Sequence, residues 1–383
     1  MRRIEPLVVD PIPTSAQVAA LGRVLDDDHR GGCLLPVPAG PEGDRLASEV
    51  SGRAVPDDAV LAVATTGSTG TPKVVLHSRA TLLASINSTA TRVGGHGAWL
   101  LCLGINHIAG IQVVLRAKVA GTAPVVAPAG GPSFADDFAA AAARPTAARR
   151  YVSLVPTQLQ RLLDSPAREA LTRFDAILLG GAAADPQLLS RSRDAGATVV
   201  TTYGMSETGG GCVYDGVPLD GVEIGTGDDG VVRLTGDLVA LGYLQAPDPD
   251  PFDGRTFTTS DLGEIVDGRL RIVGRADDII NTGAKKVAPL RVEQALRALP
   301  AVADTIVVGV PDDNWGQRVV ALVVPASDAT LPLDEVRDAL RGRLADHELP
   351  REVITLDALP YKGIGKPDRA AALELATSRR RLR

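Results

Sequence analysis

The chain has little cysteine, little lysine and no long apolar run. Cys33, Cys102 and Cys212 are its three cysteines in 383 residues. An odd, scattered set without a CxxC pair excludes a disulfide framework and disfavours a thiolate metal site. It fits reduced, incidental thiols of a cytoplasmic protein. No stretch approaches the roughly eighteen consecutive apolar residues of a membrane span. The start, Met1-Arg2-Arg3-Ile4-Glu5-Pro6, meets acid and proline before any long apolar segment, so a signal peptide is not expected. A formal charge of −6 argues against a general nucleic-acid binder. The terminal run Arg379-Arg380-Arg381 reads as a solvated tail.

Lysine is the scarcest of the common charges. Lys73, Lys118, Lys285, Lys286, Lys362 and Lys366 are the only six among 40 basic residues. Five of the six lie in or beside glycine-containing segments. A lysine is a compact point charge on a flexible stem, suited to phosphates and to a carboxylate under attack. Loops are polar in any case, so placement alone leaves both readings open.

What is present starts with an apolar run, Ala59 to Ala64, which feeds into Thr65, Thr66, Gly67, Ser68, Thr69, Gly70, Thr71, Pro72 and Lys73. Glycines let backbone N–H groups close on phosphate oxygens, hydroxyls add donors, and Lys73 brings a mobile positive charge. The segment is not a Walker A loop. Val74 follows the lysine where Ser or Thr is needed, and Val74-Val75-Leu76 reads as strand where a P-loop opens a helix. By itself the segment is either a surface turn or a polyphosphate clamp.

From about Trp99 to Tyr203 short apolar runs alternate with helical stretches. Strands are expected at Trp99–Leu103, Pro124–Ala127, Tyr151–Val155, Ala176–Leu179 and Thr198–Tyr203. Helices are expected at Gly110–Val119, Phe134–Ala143, Pro156–Leu163 and Pro186–Asp194. That order implies a parallel, doubly wound α/β sheet with ligands at the carboxyl ends of its strands. Two loops fall there, Gly180-Gly181-Ala182-Ala183 and Gly204-Met205-Ser206-Glu207-Thr208. From Gly211 to about Val273 short β runs with Gly, Asp and Pro suggest a small β subdomain. Beyond the polar junction at Gly274–Asp278 lies a compact α+β module of about a hundred residues, an ordinary size for a small domain.

Four segments call for one explanation: Thr65–Lys73; Thr202-Tyr203-Gly204-Met205-Ser206-Glu207-Thr208; Ser260-Asp261-Leu262-Gly263 with Gly274-Arg275-Ala276-Asp277; and Gly363-Ile364-Gly365-Lys366-Pro367-Asp368-Arg369. Together, in this order, they closely resemble the signature motifs of the adenylate-forming superfamily of acyl-CoA synthetases, adenylation domains and luciferases. The resemblance runs from about residue 60 to about residue 370. It implies a large N-terminal domain (1–275) that binds ATP and an acid, with doubly wound sheets and a small β subdomain. A small mobile α+β C-terminal domain (276–383) would follow. The implied reaction joins a small carboxylic acid to coenzyme A through an acyl-AMP, using ATP and Mg²⁺, in the cytoplasm. Neither nucleic acid nor a membrane span is expected, and homo-oligomerisation is left open.

Under the resemblance each position takes a role. Thr65 to Thr71 and Lys73 would hold the β- and γ-phosphates. Tyr203 and Gly204 would lie along the adenine, with Gly181 and Ala182 on the base's other side. Ser206 would offer its hydroxyl to a phosphate, and Glu207 would bind Mg²⁺. Asp261, assisted by Arg275, would accept the ribose hydroxyls; Asp237 in Thr235-Gly236-Asp237 is a decoy without the downstream motif. Lys366 would bridge the carboxylate and the α-phosphate. Asp277 would be the hinge that exchanges Lys366 for Asn281–Val287, where Gly283, Lys285 and Lys286 would meet CoA.

Val152–Leu159, Leu178–Gly181, Asn106–Gly110 and the short lead before the phosphate loop look most like the o-succinylbenzoate–CoA ligases of menaquinone biosynthesis. His107 would then sit at the mouth of the acyl pocket, and Thr157 and Gln158 would hydrogen-bond the acid. A lone histidine at a helix start is more often an ordinary capping or core residue, and helix capping is the alternative for Thr157 and Gln158. The chain departs from the family pattern at Val74, Arg79 and Ala284, where glycine, histidine and glycine are usual.

Overall fold

Between Ala98 and Met205 strand and helix alternate, as the apolar pattern requires. In a computed structural model of the chain, describing residues 1–65, 73–144, 147–326, 331–362 and 366–380, these strands assemble into one sheet. Its order is Val217–Pro218, Gly210–Tyr214, Val199–Met205, Ala176–Leu179, Arg150–Leu154, Ala98–Leu101, Val125–Val126. The strands from Val199–Met205 to Val125–Val126 run parallel, and Gly210–Tyr214 turns back antiparallel. Phe134, Phe138, Leu159, Leu162, Leu171 and Phe174 pack with sheet residues such as Val152 and Ile177 in one buried cluster. Helix starts follow local chemistry. Asp185 accepts the N–H of Gln187 at 2.7 Å ahead of helix Pro186–Asp194, and proline occupies the first helical position, where its missing N–H costs nothing.

A second sheet, read from the sequence only at its central hairpin, has the order Gly242–Tyr243, Lys73–Ser78, Ala59–Thr65, Cys33–Pro38, Arg2–Val9, Ala54–Val55. Ala59–Thr65 and Lys73–Ser78 pair antiparallel, so the predicted phosphate segment joins two strands of one hairpin. Helix Arg79–Val93 follows directly. Ser78 caps it by accepting the N–H of Thr81 at 3.2 Å, and Gly94 ends it at φ 90°.

Contacts divide the chain into two units. The first is Met1–Gly225, Arg233–Thr259 and Asp267–Leu270; the second is Thr226–Val232, Ser260–Val266 and Arg271–Arg383. The predicted β subdomain is a five-stranded sheet of Val222–Thr226, Val231–Gly236, Thr256–Val266, Phe252–Asp253 and Arg269–Arg275.

In the second unit, Val302–Asp312 and Gly316–Pro325 form a long antiparallel pair, with Glu352–Thr355 added in parallel. Alternate residues serve two cores, as the two-residue period of a strand demands. Val307, Val319, Ala321 and Val323 face helices Pro289–Arg297 and Leu333–Leu340 through Val292, Leu296, Val336 and Leu340. Ile306, Val308, Val320 and Leu322 pack on Ala372 and Ala376 of helix Arg369–Arg380. Each buried Val, Leu or Ile contributes ~1.5–3 kcal/mol, so both faces need their helices. Among the described residues no helix is long and apolar enough to cross a membrane.

Candidate active site

The first unit gathers the predicted phosphate and metal residues around a residue that the motifs do not name. Thr65 and Lys73 bracket the hairpin; Thr66, Gly67, Ser68, Thr69, Gly70 and Thr71 lie outside the described residues. Lys73 is exposed, and its Nζ stands 5.1 Å from the centroid of the Tyr243 ring. The Tyr243 hydroxyl donates to Oε1 of Glu207 at 2.6 Å. Burial and the neighbouring Glu207 carboxylate hold the Tyr243 phenol well above its ordinary pKa, so it stays a donor.

Glu207 lies on a short 3₁₀ turn, Ser206–Thr208, pinned at every peptide. His77, fully buried on strand Lys73–Ser78, meets the Ser206 carbonyl through Nε2 at 2.8 Å. A carbonyl only accepts, so Nε2 carries the proton. Burial pushes this imidazole down to about 4 despite that bond. Ala240 N–H donates to the Glu207 carbonyl at 2.9 Å. The Thr208 hydroxyl donates to the Gly210 carbonyl at 2.7 Å, and Met205 N–H donates to that hydroxyl at 3.0 Å. The Gly209 carbonyl accepts from Gln112 Nε2 at 2.7 Å and Ser85 Oγ at 3.1 Å. Gly209 has φ 60°, and a Cβ on Gly204 would lie 2.1 Å from the Gly210 carbonyl. Both positions therefore need glycine. Tyr203 and Gly204 sit at a register shift between Val199–Met205 and Gly210–Tyr214, the kind of local kink that re-aims a side chain.

The donor set here is one carboxylate. Among the described residues no group of three or more His, Cys, Asp or Glu could hold an ion, so Glu207 offers a single hard carboxylate. Mg²⁺ takes one or two carboxylates and completes its shell with substrate phosphates and water, which matches such a site.

Other predicted positions of this unit are placed as follows. Gly181 has φ 85°, and a Cβ on Gly180 would lie 2.5 Å from Thr202 Oγ1, so this loop keeps two glycines for steric reasons. Ala182 is half-buried beside them. His107 stands at the start of helix Ile108–Val119, where it makes no side-chain cap and Nε2 lies 3.3 Å from the Asn106 amide nitrogen. Thr157 is exposed. Gln158 is buried and makes three bonds: Oε1 accepts Val155 N–H at 3.1 Å, and Nε2 donates to the carbonyls of Cys102 and Ala129, both at 2.8 Å. That is the capping alternative, with the amide bracing two loops. Asp237 pairs with exposed Arg255. The three thiols are buried and free, and burial pushes each up to about 12, which leaves them unreactive.

The second unit holds the predicted ribose and hinge residues together. Arg275 Nη1 meets Asp261 Oδ1 at 2.9 Å, while Nη2 donates to Ser260 Oγ at 3.0 Å and to Asp277 Oδ2 at 3.1 Å. Asp261 is 9% exposed, whereas Arg275 and Asp277 are exposed. Against the cost of the guanidinium's partial desolvation, these carboxylates hold Arg275 above its ordinary range.

The next residue, Asp278, accepts from Arg369 Nε at 2.8 Å. Arg369 also grips Glu293, 1% exposed, at 2.6 and 3.3 Å, and the Val307 carbonyl at 2.9 Å. Arg369 comes just after the two-residue strand Lys366–Pro367, which pairs with Tyr361–Lys362. The Tyr361 hydroxyl donates to Asp304, which Arg297 also meets. The Arg369–Glu293 ion pair thus ties the far end of the lysine segment to helix Pro289–Arg297, and the hydrogen bond from Tyr361 to Asp304, itself paired with Arg297, ties the near end. Gly363 to Gly365 and the Lys366 side chain lie outside the described residues.

Gly283 and Ala284, with φ 54° and 61°, form the tight turn of hairpin Ile280–Thr282/Lys285–Val287. A Cβ on Gly283 would press to 2.9 Å on the Trp315 ring, which stacks at 3.6 Å on the Arg351 guanidinium. Lys285 and Lys286 are exposed on the hairpin's second strand.

Known proteins point the same way. The model of the AMP-binding enzyme family matches residues 10–240, and that of the AMP-binding enzyme C-terminal domain matches residues 291–366. A probable 2-succinylbenzoate–CoA ligase of Mycobacterium tuberculosis is 42% identical over 364 residues, 94% of each chain. The 2-succinylbenzoate–CoA ligase of Enterococcus faecalis is 29% identical over 79% of this chain and 66% of its own. In fold the chain is similar to o-succinylbenzoate CoA synthetase of Bacillus subtilis, solved with its acyl-adenylate intermediate. That match has TM-score 0.76 and 24% identity, covering 97% of this chain and 88% of the other. With both family models matched in order along it, the chain belongs to the AMP-binding, adenylate-forming enzyme family.

Proposed function

We propose that this enzyme is an ATP-dependent acid–CoA ligase that converts 2-succinylbenzoate to 2-succinylbenzoyl-CoA in the cytoplasm. The observation that carries the adenylating chemistry is the group Lys73, Tyr243 and Glu207, a cation and a carboxylate held on one tyrosine. The choice of acid rests on the 42% identity to the Mycobacterium tuberculosis relative over nearly the whole chain. Three buried free thiols suit a reducing compartment.

In the first half-reaction the acid's carboxylate oxygen attacks the α-phosphorus of ATP and pyrophosphate leaves. Negative charge spreads over the phosphate oxygens, so positioning and fixed cations supply most of the catalysis. Lys73 and the hydroxyls from Thr65 to Thr71 hold the departing phosphates, with Ser206 donating to another oxygen. Glu207 would hold Mg²⁺, which when bound neutralises phosphate charge. Tyr203 and Gly204 lie along the adenine, Gly181 and Ala182 line its other side, and Asp261 with Arg275 takes the ribose hydroxyls.

Lys366 steadies the carboxylate and the α-phosphate as a point charge. In the second half-reaction the CoA thiolate attacks the acyl carbon and AMP leaves. The C-terminal domain, 276–383, turns about Asp277 and brings Gly283, Lys285 and Lys286 to CoA. His107 and Thr157 face the acid. Gln158 is not assigned to it, because its amide is committed to three main-chain groups.

The test is ATP–pyrophosphate exchange and AMP release with a panel of 2-succinylbenzoate, benzoate and fatty acids, with and without CoA. Exchange with 2-succinylbenzoate alone, and AMP release only when CoA is added, is expected. Silence toward it beside a clear response to another acid refutes the assignment.

A further inference from the structure

Tyr243 belongs to none of the motifs that identify the site, yet it touches two of them. It lies on the edge strand Gly242–Tyr243, paired antiparallel with Lys73–Ser78 so that Tyr243 faces Val75. Backbone bonds lock that edge on both sides, from Leu241 N–H to the Leu76 carbonyl and from Leu244 N–H to the Val74 carbonyl, each 2.8 Å. Val75 and Lys73 project to one face of their strand, which brings the Lys73 ammonium over the tyrosine ring. Phe252 meets the ring edge-on at 5.1 Å and itself lies tilted against Phe257 at 4.8 Å, so the ring has little freedom to turn. Its hydroxyl then has one direction, toward Glu207 Oε1. Ala240, three residues earlier, holds the Glu207 carbonyl. One short segment, Ala240 to Tyr243, therefore binds Glu207 at main chain and side chain and binds the strand of Lys73.

We propose that Tyr243 is the positioning residue that fixes the Glu207 carboxylate for the metal and keeps Lys73 beside it for the phosphates, so that metal and nucleotide meet a preset pair of charges. The inference rests on the metal role of Glu207 proposed above. A carboxylate has about four lone-pair sites, so one tyrosine bond orients it and leaves the others for a cation. The two contacts separate by chemistry: the hydroxyl serves Glu207 and the ring face serves Lys73.

The test is equilibrium binding with Mn²⁺ as the metal probe, read from its electron-spin resonance signal, and a non-hydrolysable ATP analogue titrated with and without metal. Tyr243→Phe keeps the ring and loses the hydroxyl. It is expected to weaken Mn²⁺ binding in the ternary complex about tenfold, the scale of one hydrogen bond to a charged group, and to leave metal-free analogue binding within about twofold. Tyr243→Leu loses both contacts, and metal-free analogue affinity falls about threefold as well. Glu207→Gln is the reference. If it weakens Mn²⁺ binding while Tyr243→Phe does not, the role given to Tyr243 is overturned alone. If neither variant changes Mn²⁺ binding, the metal role of Glu207 falls with it. Unchanged metal-free binding in Tyr243→Leu overturns the part concerning Lys73. Thermal unfolding of each variant near the parent midpoint shows that the comparison is between folded proteins.

Discussion

Replacing Arg369 by methionine removes a charge from the buried network of the second unit at nearly constant volume. Arg369 gives Glu293 two bonds, at 2.6 and 3.3 Å, and Glu293 is 1% exposed. After the change Glu293 keeps the Val307 N–H at 2.9 Å and a distant Arg297 at 3.9 Å. Removing one partner of a buried pair costs ~3–5 kcal/mol, and Arg297 offsets part of that, so the lower end, about 3 kcal/mol, is expected. At 1.4 kcal/mol per decade the amides of Val302–Asp312, which open only with the unit, should exchange about a hundredfold faster. Hydrogen exchange read by mass spectrometry measures this strand separately from the first unit, where no change is expected. Adding Glu293→Gln, whose amide oxygen still accepts the Val307 N–H, removes the stranded charge and should restore most of the protection. Exchange within threefold of the parent in Arg369→Met would refute the burial argument. Equal loss in the double variant would refute the assignment of the cost to Glu293.

Three further outcomes follow from named contacts. Ala284→Gly relieves a left-handed residue at φ 61° and should stabilise the protein by about 0.5–1 kcal/mol in chemical denaturation, the glycine's added unfolded freedom taking back part of the gain. His77 resists protonation in the folded protein down to about 4, against 6.5 for an ordinary imidazole. The stability it confers is therefore complete above pH 6.5 and falls as pH drops toward 4, by up to about 1.4 kcal/mol per unit, and His77→Gln should flatten that slope in paired denaturation curves. Lys366→Ala should abolish acyl-AMP formation while sparing thioester formation from supplied acyl-AMP; equal loss of both steps would argue against a lysine that acts in one conformation only.

The parallel sheet was legible because its strands and helices are amphipathic or apolar over their whole lengths. Pro156–Leu163, Ala176–Leu179 and Pro186–Asp194 appear with the boundaries that proline, aspartate and the apolar period prescribe. The second sheet was legible only at its hairpin. Arg2–Val9 and Cys33–Pro38 are interrupted by proline and charge, and their partners are remote in sequence.

In the proposed site, motif order singled out Glu207 and Lys73. It gave no hint of Tyr243, a single aromatic on a two-residue strand whose meaning depends on long-range pairing. His77 had a local signal, a histidine inside an otherwise apolar strand, which in hindsight marks a buried polar group in need of a partner. Gln158 is the converse case. A polar residue at a helix start reads as a ligand group or as a cap, and here its amide bonds to Val155, Cys102 and Ala129.

The central claim is that this enzyme activates 2-succinylbenzoate as an acyl-adenylate, and isotope transfer tests it directly. With the acid labelled by oxygen-18 in its carboxylates, ATP, Mg²⁺ and CoA, attack at the α-phosphorus predicts one labelled oxygen in the AMP released with each thioester. Label in inorganic phosphate or pyrophosphate, or unlabelled AMP beside labelled thioester, would contradict it.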